Sequence, residues 1–142
     1  MKKVIALRGA ANVGKSNAIK KVYELLLAKY PSAKVEDGDK TYRVDIKVVL
    51  TINGVKIGIE NQGDPGSRLP ESLQEFVKKG CRVIVCATRT RGQTVSAVSQ
   101  LAPSYEVLWI NQFVVPKSSE QESSNQRMAK QIVAEVETVI HA

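Results

Sequence analysis

The sequence predicts an α/β fold with about five strands in a mainly parallel sheet, one antiparallel hairpin strand, and helices on both faces. Short apolar runs of strand length alternate with stretches whose apolar residues recur every three or four positions, the mark of strands and helices taken in turn. Residues 44 to 59 alternate apolar and polar on either side of Asn53-Gly54, the strongest short hairpin signal. Outside that hairpin every strand is followed by a helical pattern, the crossover that parallel neighbours require.

The elements follow in order. Lys3–Arg8 is apolar and bounded by Gly9, and reads as the first strand. Lys15–Lys29 reads as a helix on the stripe Ile19, Val22, Leu25 and Leu26, with Pro31 as its stop. The acidic stretch Glu36-Asp37-Gly38-Asp39, with Tyr42 and Arg43, reads as a solvated turn, or else as a switch-like or substrate loop. In the hairpin, Val44, Ile46, Val48, Leu50 and Ile52 face one side, and Val55, Ile57 and Ile59 return on the same side if Ile52 lies opposite Val55. Gly63-Asp64-Pro65-Gly66 is a loop. Residues 70 to 79 form a short helix with Pro70 in its first turn and Gly80 past its end. Residues 82 to 87 form a buried strand, 88 to 93 a polar loop with two arginines, and 94 to 102 a helix stopped by Pro103. A further strand lies at about residues 107 to 110. Residues 117 to 126, rich in Ser, Gln and Glu, read as a loop into a last helix carrying Met128, Ile132, Val136, Val139 and Ile140.

Composition bounds the function. At 142 residues the chain suits a single domain, residues 1 to 142, with a core large enough to need no staples. With 43% apolar and 25% charged residues it reads as a globular protein, and no apolar run reaches the roughly 18 residues of a membrane span. The start Met1-Lys2-Lys3-Val4-Ile5-Ala6-Leu7-Arg8 is too short in its apolar part for a signal peptide, so a cytoplasmic location without membrane contact is expected. Cys81 and Cys86 are not spaced as a redox or metal pair. On one strand they would face opposite sides, as free thiols. The single histidine, His141, adjoins the C-terminal Ala142, which argues against histidine-based catalysis or metal binding. The net charge of +7 suits an anionic partner. A nucleotide satisfies it. Nucleic acid fits less well, because the basic residues are scattered with few aromatics between them.

The segment with chemical content is Gly9-Ala10-Ala11-Asn12-Val13-Gly14-Lys15-Ser16, with Asn17 after it. A Gly-x-x-x-x-Gly-Lys-Ser run between a strand and a helix is a phosphate-binding loop. Glycines let the backbone curl so that successive N–H groups point at phosphate oxygens. The helix adds its positive N-terminal end, Lys15 a point charge for the β- and γ-phosphates, and Ser16 a hydroxyl for Mg²⁺.

On these residues the chain resembles the P-loop NTPase superfamily, over most of its length. The resemblance implies a three-layer fold, Mg²⁺, and an acidic partner at the end of another strand. The hairpin makes the layout similar to the small G proteins, in which the return strand lies beside the phosphate-loop strand and ends in Asp-x-x-Gly. Here that place holds Glu60-Asn61-Gln62-Gly63. By that alignment Glu60 is the metal partner, the Gly63 N–H meets the γ-phosphate, and Asp64 orients or deprotonates the nucleophile. A second alignment makes Asp64 the metal partner and Glu60 the base. Both alignments stand beside the plainer reading of a strand end and a turn. The guanine-recognition motif Asn-Lys-x-Asp is missing, since Asn111-Gln112-Phe113-Val114 lacks the lysine and the aspartate. ATP is therefore expected over GTP. Arg89 and Arg91 follow a buried strand at its C-terminal end, where ligands bind in open sheets. P-loop kinases carry lid arginines in a similar place, and the plainer reading is a solvated loop with a helix cap at Thr94. Arg8 is not expected to act.

Three functions follow: hydrolysis of a nucleoside triphosphate; transfer of its γ-phosphate to an acceptor, a macromolecule or nucleic acid more than a nucleoside monophosphate; and nucleotide binding without catalysis. Neither a protein partner nor self-assembly is legible in the sequence.

Overall fold

A computed structural model describes residues 1–10, 14–38, 46–112 and 118–142. Among these, six strands and four helices run in the order β1 (Lys3–Arg8), α1 (Lys15–Lys29), β2 (Lys34–Gly38), β3 (Lys47–Ile52), β4 (Val55–Glu60), α2 (Leu69–Lys78), β5 (Val83–Thr88), α3 (Gln93–Ser99), β6 (Glu106–Asn111) and α4 (Ser118–Ile140). The strands form one mixed sheet in the order β2-β3-β4-β5-β1-β6. β4, β5, β1 and β6 run parallel to one another, and β3 runs antiparallel to both β2 and β4.

Two apolar layers flank this sheet. On one face Ile5 and Leu7 of β1, Ile57 and Ile59 of β4 and Val83 and Val85 of β5 pack with Ile19, Val22 and Leu26 of α1 and Ile132 and Val136 of α4. On the other, Val4, Ala6, Ile84 and Cys86 pack with Leu69, Leu73 and Phe76 of α2 and Val98 of α3. The period-two alternation of buried strands thus feeds two helical layers. α2 shows the matching helical period: Leu69, Ser72, Leu73 and Phe76 are its buried residues.

The hairpin has the expected register. Ile52 lies opposite Val55, and Asn53 and Gly54 both have positive φ, 50° and 79°, as a two-residue I′ turn requires.

Four expectations change. A sixth strand, β2, occupies the acidic stretch that reads as a turn. It is an edge strand with one apolar residue besides its glycine, Val35, and a register shift between Val35 and Asp37 on β3. Charges and bulges of this kind protect sheet edges and erase the alternation that would reveal a strand. Asp39, Tyr42, Arg43 and Val44 lie outside the described residues.

Second, the return strand β4 does not lie beside β1, contrary to what the small G-protein layout implies. β5 stands between them, with Ile57 and Lys3 both opposite Val83. All six residues of β5 are buried, so it needs a strand on each edge and a helix on each face. Third, residues 118 to 126 are helical. Asn125 is buried four residues before Ala129, so the inward stripe starts a turn before its first fully buried apolar member, among polar residues that hide the helical period. Fourth, Cys81 precedes β5, and both thiols are buried in the same apolar cluster as free cysteines. Burial pushes them up, to about 11 for Cys81 and about 12 for Cys86, which leaves them inert as nucleophiles.

Gly58 is fixed by packing. A Cβ at this position would lie 2.5 Å from Cγ of Phe76, so the ring of α2 sits where β4 has no side chain. Gly58→Ala is expected to destabilise the fold by about 2 kcal/mol through overpacking. The measurement is a urea midpoint at unchanged slope; an unshifted midpoint would reject this packing.

Candidate phosphate-binding site

Because β4, β5 and β1 are parallel, their C-terminal ends share one edge of the sheet, and the candidate residues gather there. β1 ends at Arg8. Gly9 continues the ladder by donating its N–H to the Thr88 carbonyl at 3.1 Å. Ala11, Asn12 and Val13 lie outside the described residues. Gly14 is the N-cap of α1 at φ 92°, a left-handed conformation suited to glycine. Its lack of a Cβ is also a packing requirement, since a Cβ there would lie 2.3 Å from Nε2 of Gln121 and 2.6 Å from Oδ1 of Asn125, both on α4. The first turn of α1 has no acidic residue, so its positive end is uncompensated.

Lys15 is only 7% exposed. Its ammonium donates to the carbonyl of Gly9 and to that of Ala10, the latter at 3.1 Å. Burial lowers its pKa from 10.5 to about 8; Arg89 lowers it further and Asp64 opposes both. Lys15, Arg89 and Asp64 thus lie within electrostatic reach of one another. Arg89 Nε donates to Asp64 Oδ1 at 3.0 Å, with the two side chains 34% and 69% exposed. Arg91 is exposed two residues further on. Thr94 does not cap α3, whose N-cap is Gly92. Its hydroxyl accepts the Arg89 N–H at 3.0 Å, which holds the backbone that carries this arginine.

Ser16 meets Asn61. Its hydroxyl donates to the Asn61 carbonyl at 3.3 Å, and Asn61 Nδ2 donates to the Ser16 carbonyl at 3.3 Å. Asn61 Oδ1 also accepts the Ile46 N–H at 2.8 Å. This one buried amide therefore ties the hairpin to the start of α1. Its role was not legible in the sequence, where it reads as a spacer between Glu60 and Gly63. Gly63 is packed against β5: a Cβ there would lie 2.4 Å from the Ala87 carbonyl oxygen. That close approach accounts for the glycine without a phosphate contact.

Glu60 is placed differently from either alignment. Its side chain is wholly buried. Arg68 donates to its carboxylate through Nε at 2.7 Å and Nη2 at 3.2 Å, the Ser72 hydroxyl donates at 2.6 Å, and the Gln62 N–H at 3.1 Å. Four donors saturate the carboxylate. As neither metal partner nor base does it have spare capacity, and it anchors the Asp64 loop to α2 instead. Arg68→Met, which strands a buried carboxylate, is expected to cost about 3 kcal/mol, and Glu60→Gln, which keeps the shape, about 1 kcal/mol. If the chain binds a nucleotide with Mg²⁺, neither change should alter that metal dependence. Loss of that dependence in a folded Glu60→Gln protein would return Glu60 to the metal.

Among the described residues no group of three or more His, Cys, Asp or Glu side chains converges as a metal cage. Mg²⁺ is commonly held by one or two carboxylates together with substrate phosphates. Ser16 and Asp64 fit that role in chemistry, and Glu60 does not.

No known protein family, curated protein or solved structure matches this chain. Arg8 donates to Asn111 Oδ1 at 2.9 Å and lies 4.9 Å from the Trp109 ring centroid, which ties it to the β6 edge. Among the described residues no helix is long and apolar enough to cross a membrane.

Proposed function

We propose that the chain is a small P-loop NTPase that binds a nucleoside triphosphate, ATP over GTP, with Mg²⁺, and hydrolyses it. One observation carries this reading. Gly9 and Ala10 leave β1, and Gly14 caps α1, at the C-terminal edge of the parallel strands, with Lys15 in the first turn of α1 in electrostatic reach of Arg89 and Asp64. Lys15 donates to the carbonyls of Gly9 and Ala10. A triphosphate would replace those weak acceptors by charged oxygens, a stronger partner for an ammonium. The α1 N-terminus serves the same anion. Bound Mg²⁺ would neutralise charge on the β- and γ-phosphates.

Hydrolysis then needs a positioned water. Its oxygen bonds to the γ-phosphorus, the bond from that phosphorus to the bridging oxygen breaks with its electrons left on the diphosphate, and the water's proton passes to Asp64. Arg89, held by Asp64, offers its positive charge to the oxygens on which negative charge grows. Transfer to an acceptor is the second reading. It is favoured by the exposure of Asp64 and Arg89, which leaves room for a macromolecular hydroxyl in place of water.

The test is a thermal-shift panel of ATP, GTP, dATP and ADP with and without Mg²⁺, followed by product analysis. A Mg²⁺-dependent shift with adenine nucleotides, and release of free phosphate, is the expected result. A labelled acceptor would select transfer, and binding with neither product would leave a nucleotide-binding protein without catalysis. No shift with any nucleotide would reject the proposal.

A further inference from the structure

Asn61 is wholly buried at the point where the chain leaves β4, and it grips two separate segments with two bonds each. Towards Ile46, just before β3, its N–H donates to the carbonyl at 3.2 Å and its Oδ1 accepts the N–H at 2.8 Å. Towards Ser16, in the first turn of α1, its carbonyl accepts the hydroxyl and its Nδ2 donates to the carbonyl, both at 3.3 Å. We infer that Asn61 is a positioning residue for the divalent cation that accompanies the triphosphate: it holds the Ser16 hydroxyl by its proton and so leaves the oxygen's lone pairs to the metal. The inference rests on the nucleotide-binding reading above and gives Asn61 the supporting place that the alignments gave to Glu60.

The chemistry of a hydroxyl is the first argument. It has one proton and two lone pairs. A cation takes lone pairs, so the rotamer ready for it is the one that spends its proton elsewhere. The Asn61 carbonyl supplies that acceptor, while Ser16 keeps part of its surface exposed. An acceptor on the proton of a ligating group also makes that group a better ligand, and losing such a partner lowers metal affinity by roughly 10- to 100-fold.

Placement is the second argument. A carbonyl past the end of a strand is free to turn. Here the two bonds to Ile46 fix the Asn61 peptide and side chain together, so the carbonyl is held against Ser16 before any cation arrives. The third argument is what the neighbour cannot do. The Glu60 carboxylate is spent on Arg68 and Ser72, so the proton of Ser16 goes to a neutral carbonyl instead.

The experiment measures by calorimetry the affinity of the full chain for inorganic tripolyphosphate, with Mg²⁺ and with a chelator in its place. Wild type, Asn61→Ala, Ser16→Ala and the double variant are compared, and the quantity read is the gain in affinity that Mg²⁺ confers. Asn61→Ala is expected to lower this gain about tenfold, with the metal-free affinity changed less than about twofold. Ser16→Ala should lower it at least as much. Adding Asn61→Ala to Ser16→Ala should then change it by less than about twofold, because the asparagine acts through the hydroxyl. Equal losses with and without Mg²⁺ would make Asn61 a purely structural residue and overturn the inference. An unchanged gain in either single variant, or a further tenfold loss in the double, would overturn it too. Wild-type binding with no gain from Mg²⁺ would reject the cation and this inference but leave the phosphate loop standing; no binding by wild type would reject the phosphate site as well. Should Asn61→Ala fail to fold, nuclear magnetic resonance decides. Adding Mg²⁺ to the tripolyphosphate complex should move the carbonyl-carbon resonance of Asn61 in wild type and not in Ser16→Ala. A resonance that stays in place, or that moves equally in both, overturns the inference.

Discussion

Lys15→Ala is expected to weaken ATP and tripolyphosphate binding by about a hundredfold, the worth of a charge-assisted hydrogen bond or two. The variant should stay folded. Lys15 bonds only to carbonyls of its own loop among the described residues, and its removal relieves the chain of a desolvated charge. A folded Lys15→Ala protein with wild-type affinity for ATP and GTP would end the nucleotide-binding reading. The lysine also gives the wild type a pH signature. Its pKa is about 8 in the fold against 10.5 for the ordinary side chain. Between those values the unfolded chain binds the extra proton, so ligand-free stability should rise with pH across that window. Phosphate binding should run the other way. The anion selects the ammonium, so affinity is at full strength below about pH 8 and falls above it, by up to about tenfold per pH unit. Calorimetry at pH 7 and 9 should show this slope in wild type and its loss in Lys15→Ala.

Legibility in the sequence followed burial. β1, the hairpin and β5 were readable because their apolar pattern is set by contact with two helical layers or one. β2 was not, because a sheet edge is kept from pairing further by the charges that make it look like a loop. The first turns of α4 were missed for a related reason: the inward residue there is Asn125, a polar group buried by hydrogen bonds to Gln112 and Gln121 that periodicity cannot register. The site divides in the same way. Lys15, Arg89 and Asp64 could be gathered from the rule that parallel strands present their C-terminal ends to one edge. The part played by Glu60 could not, since it depends on Arg68 and Ser72 of the following turn and helix, and sequence spacing alone does not distinguish a metal ligand from an ion-paired anchor. Sheet order was also out of reach. A strand inserted between β1 and β4 leaves the local pattern of each unchanged.

With Glu60 saturated, Asp64 becomes the carboxylate of consequence, and Asp64→Asn should lower turnover by about a hundredfold or more while ATP affinity changes by only a few-fold. The substitution is close to isosteric. The introduced amide would keep an oxygen for Arg89, and the exposed ion pair it weakens contributes less than about 1 kcal/mol to stability, so the fold is not at risk. Two effects on binding oppose each other. Loss of a negative charge near the triphosphate favours the anion, whereas loss of the group that raises the Lys15 pKa favours the neutral amine. Measured near pH 7, below the Lys15 transition, the first dominates and affinity should hold or improve. This separates the two roles open to Asp64. A fall in rate with Mg²⁺-dependent affinity intact assigns it to orienting or deprotonating the nucleophile. A fall in affinity seen only with Mg²⁺ present assigns it to the metal. A wild-type rate with wild-type affinity removes Asp64 from the chemistry and leaves Arg89 to act without it.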